Sequence, residues 1–180
     1  MPKVLISDSM DSIVQKILLS EKIEVDVKID LSKEQLLNQI SVYDGLIVRS
    51  ATKVTKEIIS EGKNLKVIGR AGAGVDNIDL SAAKEKNILV MNTPGGNTNA
   101  TAEHTLGLLL SLFRNISEAN YGTHKGIWDK KNLKGNEIRG KSIGIIGFGN
   151  VGRVFADSLS LVRGHDEREL KREIYANSPD

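Results

Sequence analysis

Glycines 147, 149 and 152 carry the clearest chemical signal in the chain. They stand in G-x-G-x-x-G spacing within Ile143-Gly144-Ile145-Ile146-Gly147-Phe148-Gly149-Asn150-Val151-Gly152. The run Ser142–Ile146 reads as a strand entering the turn, and Val151–Leu159 reads as the helix leaving it. In that setting Gly147 permits a tight turn, Gly149 lets a pyrophosphate approach the backbone, and Gly152 lets helix and strand pack closely. The helix N-terminus then offers free N–H groups and a partial positive charge to phosphate oxygens. The plainer alternative is a strand–helix turn that needs glycine only for packing. A ribose-binding acid is due about 20 residues further on, at the end of a following strand. That position falls near Arg172 and Glu173, in a charged stretch with no apolar run before it, so Glu173 reads as a solvated residue.

Two further constellations suit an anion. Arg49-Ser50-Ala51-Thr52 follows one apolar run, and Arg70-Ala71-Gly72-Ala73-Gly74-Val75-Asp76-Asn77 closes the next. In a parallel sheet the carboxyl ends of the strands line one crevice, so both segments can face one ligand. Arg49 offers a bidentate clamp for carboxylate or phosphate. The small run Gly72–Gly74 lets successive N–H groups converge on an anion. Against this, Arg49 would serve as a surface ion-pair residue and the glycines would merely turn the chain. Asn97-Thr98-Asn99-Ala100-Thr101-Ala102-Glu103-His104 opens a long helical segment, where Asn97 or Thr98 suits an N-cap. Glu103 and His104 invite an acid–base reading, but the neighbouring Leu106, Leu108 and Leu109 favour a packing role for His104. His124 and His165 lie in polar stretches with no partner in view.

The elements that must position these residues alternate regularly. Val4–Ser7, Val25–Ile29, Gly45–Arg49, Lys66–Ala71 and Ile88–Asn92 read as strands. Ser12–Leu19, Ser32–Ile40, Lys53–Ser60 and Leu80–Lys84 read as helices, and Ser32 with Gln35 suits a capping box. Such alternation predicts βαβ units, a parallel sheet and a flavodoxin-like α/β lobe. After Pro94-Gly95-Gly96, residues Asn97–Asn115 form one long helical segment, Tyr121–Gly140 reads as loop, and the strand and helix of the glycine turn follow. The last twenty residues are dense in charge and supply no further apolar strand.

Composition narrows the function classes. A net charge of +2 is too small to name nucleic acid or an anionic membrane as a partner, and 4% aromatic residues give no stacking platform for bases. The absence of cysteine excludes disulfides, thiolate catalysis and a cysteine zinc site; no metal site is expected. The start MPKVLISDSM enters a strand directly without the pattern of a signal peptide, and Leu106–Phe113 is far short of the ~20 apolar residues of a membrane span. A cytoplasmic location is the expectation.

Taken in order, Leu46 through Thr52, Ile68 through Asp79, Val90 through Pro94, Asn97 through Leu110, Gly126-Ile127-Trp128 and Gly140 through Arg153 resemble the D-2-hydroxyacid dehydrogenase family. The resemblance spans residues 1–159 and is strongest to the D-3-phosphoglycerate dehydrogenases within that family. It implies a flavodoxin-like substrate lobe over 1–96, a crossover helix over 97–120, the start of a Rossmann NAD-binding lobe over 121–159, and a divergent charged tail over 160–180. It implies NAD as cofactor and a phosphorylated hydroxy acid as substrate, in serine biosynthesis, with the crossover helix and the Trp128 loop in a homo-oligomer contact. It further implies that Arg49, Ser50, the backbone around Ala73, Gly74 and Val75, Asn97 and Lys130 hold substrate. Thr101 would lie beside the nicotinamide, and Gly147, Gly149, Asn150, Val151, Gly152 and Arg153 would hold the pyrophosphate. The catalytic Arg, Glu and His that family members carry further on have no match in Ser160–Asp180, so the chain is expected to be truncated and inactive by itself, with no catalytic residue assigned.

Two rival readings stand beside this one. A non-catalytic fragment for binding or oligomerisation would keep the first lobe and the long helix. A receiver-like signalling domain would share the strand order but needs an acidic pocket at the strand ends; Asp8 alone fits, and Arg49 stands where the phosphoacceptor should be.

Overall fold

The computed structural model describes residues 1–163. It divides into two compact units, Met1–Gly96 and Asn97–Asp180. The expectations for His165, Glu173 and the charged end of the chain lie outside the described residues.

The first unit is a five-stranded parallel sheet. Its strands are β1 (Lys3–Ile6), β2 (Glu24–Val27), β3 (Gly45–Val48), β4 (Val67–Arg70) and β5 (Leu89–Asn92), in the order β2-β1-β3-β4-β5. The helices between them are α1 (Ile13–Ser20), α2 (Lys33–Gln39), α3 (Lys56–Glu61) and α4 (Leu80–Glu85), with a 3₁₀ turn over Ile40–Val42. Register explains the core. Leu5, Leu46, Ile68 and Val90 stand side by side across four strands and point to one face. Leu36, Ile40, Ile58, Ile59, Ala82 and Ala83 from the helical segments pack against them. The next row, Ile6, Ile47, Gly69 and Met91, points the other way; Ile6 is buried, whereas Met91 at β5 is 54% exposed.

Helix starts follow local chemistry. Ser32 and Gln35 form the expected capping box, with Gln35 N–H donating to Ser32 Oγ at 3.2 Å and Ser32 N–H donating to Gln35 Oε1 at 2.8 Å. Asp79 caps α4 by accepting the Ala82 N–H at 2.9 Å. Helix α3 begins at Lys56 and not at Lys53, because Val54 is drawn into a parallel bridge with Ile78 and Thr55 takes the N-cap position.

The second unit is helical in its described part. It comprises α5 (Thr98–Arg114), α6 (Ile116–His124) and α7 (Asn150–Arg163). Ala102, Leu106 and Leu109 of α5 meet Val151, Val154, Phe155 and Leu159 of α7, and Ile143 and Ile145 join them. These are helical-period faces, i, i+4, i+7 on one side and i, i+3, i+4, i+8 on the other.

Three readings of the second unit change. Tyr121–Gly140 is not all loop, since α6 runs through His124; the left-handed Asn115 (φ 52°) turns the chain between α5 and α6. Ser142–Ile146 makes no strand ladder. A strand needs a partner for its N–H and C=O groups, and no second strand is present among the described residues of this unit. Ile145 still points inward while Ile146 is fully exposed, so the alternation survives without the ladder. His104 is exposed on α5, not packed, because the buried stripe runs through 102, 106 and 109.

Candidate functional site

Strand order places the topological switch between β1 and β3, since the chain passes from β1 to β2 on one side and returns to β3 on the other. Ligands of open α/β sheets bind outside the carboxyl ends of the strands at such a point. Here those ends carry Ser7 and Asp8 after β1, Arg49–Thr52 after β3 and Ala71–Asn77 after β4.

The turn Arg49–Thr52 is held on both sides. Asp8, 6% exposed, accepts the Arg49 N–H at 2.5 Å and the Thr52 N–H at 3.2 Å on Oδ2, and the Thr52 hydroxyl at 2.6 Å on Oδ1. Asn77 Nδ2 donates to the carbonyls of Arg49 at 2.7 Å and Thr52 at 2.6 Å. The Thr52 proton being given to Asp8, the Ser7 hydroxyl donates to Thr52 Oγ1 at 3.0 Å. The Arg49 side chain is exposed; its Nη1 donates to the Ser9 carbonyl at 3.2 Å, and it meets no carboxylate among the described residues. The remaining guanidinium donors are free for a ligand. Ser50 is exposed beside it.

The loop after β4 spends its acceptors on the protein. The Gly72 carbonyl accepts the Thr93 N–H at 2.9 Å, the Ala73 carbonyl accepts Asn92 Nδ2 at 2.6 Å, and the Val75 carbonyl accepts the Ile78 N–H at 3.0 Å. The Gly74 carbonyl accepts Arg70 Nη1. Arg70 also pairs with Asp76 at 3.3 Å, and its buried Nε has no acceptor among the described residues. By contrast, the N–H groups of Ala73, Gly74 and Val75 donate to no protein acceptor among the described residues. Three successive N–H groups without a protein acceptor are thus available to an anion on this loop. Arg70, read from the sequence as part of the motif without a role of its own, is the side chain that shapes it.

In the second unit the glycine turn fits a pyrophosphate by three observations. Gly147 has φ +91°, a conformation that a side chain strains. Gly149 has open space where a Cβ would stand, so a phosphate can approach its backbone. At Gly152 a Cβ would fall well inside 3.0 Å of the Gly147 carbonyl oxygen. Helix α7 begins at Asn150, directly after the turn, and its first N–H groups point out of the helix end. Val151 is half-buried in the helix core, and Arg153 folds back so that Nε donates to the Phe148 carbonyl at 3.3 Å. The fit covers the pyrophosphate alone; no ribose-binding acid is placed among the described residues.

The other predicted residues are placed as follows. Asn97 occupies the N-cap position of α5 without a side-chain cap bond, and its carbonyl accepts both the N–H and the hydroxyl of Thr101, at 2.9 and 2.8 Å. Lys130 is exposed on the loop beyond Trp128, itself 82% exposed. Asp8 and Asn77, which hold the geometry of the β3 turn, are site residues to which the sequence reading gives no part in the anion site; Asp8 enters it only as the one acid that suits a receiver-like pocket. The available signal was their position, Asp8 two residues beyond β1 and Asn77 at the far end of the loop after β4.

Comparison with known proteins gives consistent results. The family described as D-isomer specific 2-hydroxyacid dehydrogenase, catalytic domain, matches residues 4–176. That match runs beyond Leu159, where the motif-by-motif resemblance stops. The chain is 49% identical over 154 residues to the D-3-phosphoglycerate dehydrogenase of Rattus norvegicus, covering 86% of this chain and 29% of the relative. It is 47% identical over 155 residues to the hydroxypyruvate reductase of Thermotoga maritima, covering 86% of this chain and 50% of that protein. Among solved structures, the NAD⁺-bound 3-phosphoglycerate dehydrogenase of Entamoeba histolytica superposes with a TM-score of 0.70 at 36% identity, over 87% of this chain and 50% of that one. The chain thus spans about a third to half the length of these relatives.

Proposed function

Because the chain belongs to the D-isomer specific 2-hydroxyacid dehydrogenase family, we propose that it carries the substrate-anion site and the pyrophosphate turn of an NAD-dependent dehydrogenase acting on 3-phosphoglycerate. The observation that carries this reading is the row of three free N–H groups at Ala73, Gly74 and Val75, tied through Asn77 to the turn that presents Arg49. A carboxylate or phosphate supplies the acceptors that these donors lack, and Arg49 and Ser50 add a charged clamp and a hydroxyl. In this reading Asn97 and Lys130 also contact substrate, and Thr101 lies beside the nicotinamide. Gly147, Gly149, Asn150, Val151, Gly152 and Arg153 would hold the pyrophosphate, and the bound NAD supplies the hydride acceptor. A homo-oligomer in the cytoplasm completes the reading.

The proton is the weak point of the chain taken alone. Oxidation of a hydroxyl requires a group that takes its proton, worth about 10²–10⁴-fold in rate. The first unit contains no histidine, and a guanidinium cannot serve as a base. This chain by itself is therefore expected to bind anions without turnover, and mixing it with NAD and 3-phosphoglycerate should give no reduced cofactor by absorbance. Binding is tested by titrating 3-phosphoglycerate against parent and Arg49→Ala. Losing a charge-assisted contact of about 1.5–3 kcal/mol should weaken affinity by roughly tenfold or more; equal affinities would remove Arg49 from the site.

A second reading, a non-catalytic oligomerisation fragment, is favoured by one observation. Leu108, Leu112, Ile116, Tyr121, Ile127 and Trp128 are all more than half exposed in the second unit, apolar side chains that a second copy could cover.

A further inference from the structure

The four backbone polar groups at the ends of the Arg49–Thr52 turn are all taken by two side chains. Asp8 receives both N–H groups, and Asn77 gives to both carbonyls. One comes from the end of β1 and the other from the loop after β4, so the neighbours of β3 on either side grip its turn. Asp8 is nearly buried and no cation pairs with it among the described residues. Its two oxygens meet only donors of this turn. A buried acid that meets no cation is expensive, and it is retained here at the one place where Arg49 must be aimed. The amide orientation of Asn77 is equally determined, because both of its partners are acceptors.

We infer that Asp8 and Asn77 are positioning residues for the Arg49 clamp: they fix the backbone of the turn that presents Arg49 before ligand arrives. The inference rests on the proposed anion site and names what preorganises it. Neither residue touches ligand. Both act through Arg49. Asp8→Ala removes both acceptor oxygens and leaves the Arg49 and Thr52 N–H groups and the Thr52 hydroxyl without their partner. The turn then relaxes, and a misplacement near 1 Å can cost up to about 100-fold.

The test is a double-mutant cycle on the full chain, read by NMR titration of 3-phosphoglycerate, which follows weak binding. Asp8→Ala should lower affinity by about tenfold or more in the parent and by less than about twofold in the Arg49→Ala background, where nothing is left to aim. A residue that merely supports the fold would cost the same in both. Equal losses in the two backgrounds, or no loss in the parent, overturn the inference. Should Asp8→Ala fail to fold, Thr52→Val removes the hydroxyl bond to Asp8 and Asn77→Ala removes the opposite grip, with the same expectation in the same cycle. If Arg49→Ala weakens binding and none of these variants does, positioning alone is wrong. If Arg49→Ala has no effect, the proposed anion site fails and the inference falls with it.

Discussion

Replacing Gly152 by alanine tests the glycine turn where its geometry is tightest. The new Cβ would sit well inside 3.0 Å of the Gly147 carbonyl oxygen, 3.3 Å from the Gly147 carbonyl carbon and 3.5 Å from Ile145 Cγ2. The near neighbour is backbone, so no side chain can swing aside. To restore an ordinary contact of about 3.5 Å the start of α7 must retreat by on the order of 1 Å. That displacement loosens Val151, Val154 and Phe155 against Ala102 and Leu106 of α5. Overpacking of this kind costs about 1–3 kcal/mol, and alanine returns up to about 1 kcal/mol through its better helix propensity. The net expectation is a loss of about 1–2 kcal/mol, which lowers the melting midpoint by roughly 2–8 °C for a chain of this size. Gly149→Ala is the matched control. Its Cβ meets nothing within 4 Å, so stability should stay within about 0.5 kcal/mol while dinucleotide binding is blocked. Circular-dichroism melts of both variants, with NAD titrations alongside, separate the two roles. A Gly152→Ala protein that melts with the parent would refute the packing argument, and a Gly149→Ala protein that binds NAD normally would refute the approach argument.

Stability should also narrow at both ends of the pH scale through a cluster at the amino edge of the sheet. Tyr43 donates to Asp26 at 2.7 Å, and Lys3 pairs with Asp26 at 3.3 Å and Glu24 at 2.7 Å. The Tyr43 hydroxyl holds the Asp26 carboxyl below its usual range, so its contribution is present above about pH 4 and is lost as pH falls through the lowered folded value. Burial, then the Asp26 carboxylate, pushes the Tyr43 phenol up, so its contribution is lost as pH rises past about 10. Denaturation midpoints measured across pH check both limits, and Tyr43→Phe should remove the Asp26 part of the acid limb; an unchanged acid limb would contradict it. Association is the last expectation: the exposed Leu112, Tyr121 and Trp128 should give dimers by light scattering, and Leu112→Glu with Trp128→Ser should yield monomers. A parent that stays monomeric at high concentration would count against an interface there.

Much of the fold was legible in the residues because its signals are local. Apolar runs of about five residues separated by helical-period segments specify strands and helices through backbone periodicity, and the five strands appear within a residue or two of their expected bounds. Ser32 and Gln35 are three residues apart, so their capping box needs no distant partner. The glycine spacing at 147, 149 and 152 is likewise a local constraint, set by the positive φ of Gly147, the open side of Gly149 and the closed side of Gly152. What tertiary structure alone decided depends on neighbours distant in sequence. Ser142–Ile146 has the composition of a strand but no partner strand among the described residues, and a ladder requires two. His104 lies beside leucines in sequence yet faces water, because the buried stripe of α5 is chosen by where Phe155 and Leu159 stand. Asp8 and Asn77 meet at the Arg49 turn from 41 and 28 positions away. No spacing rule spans such a separation; only the order of the strands brings the two together.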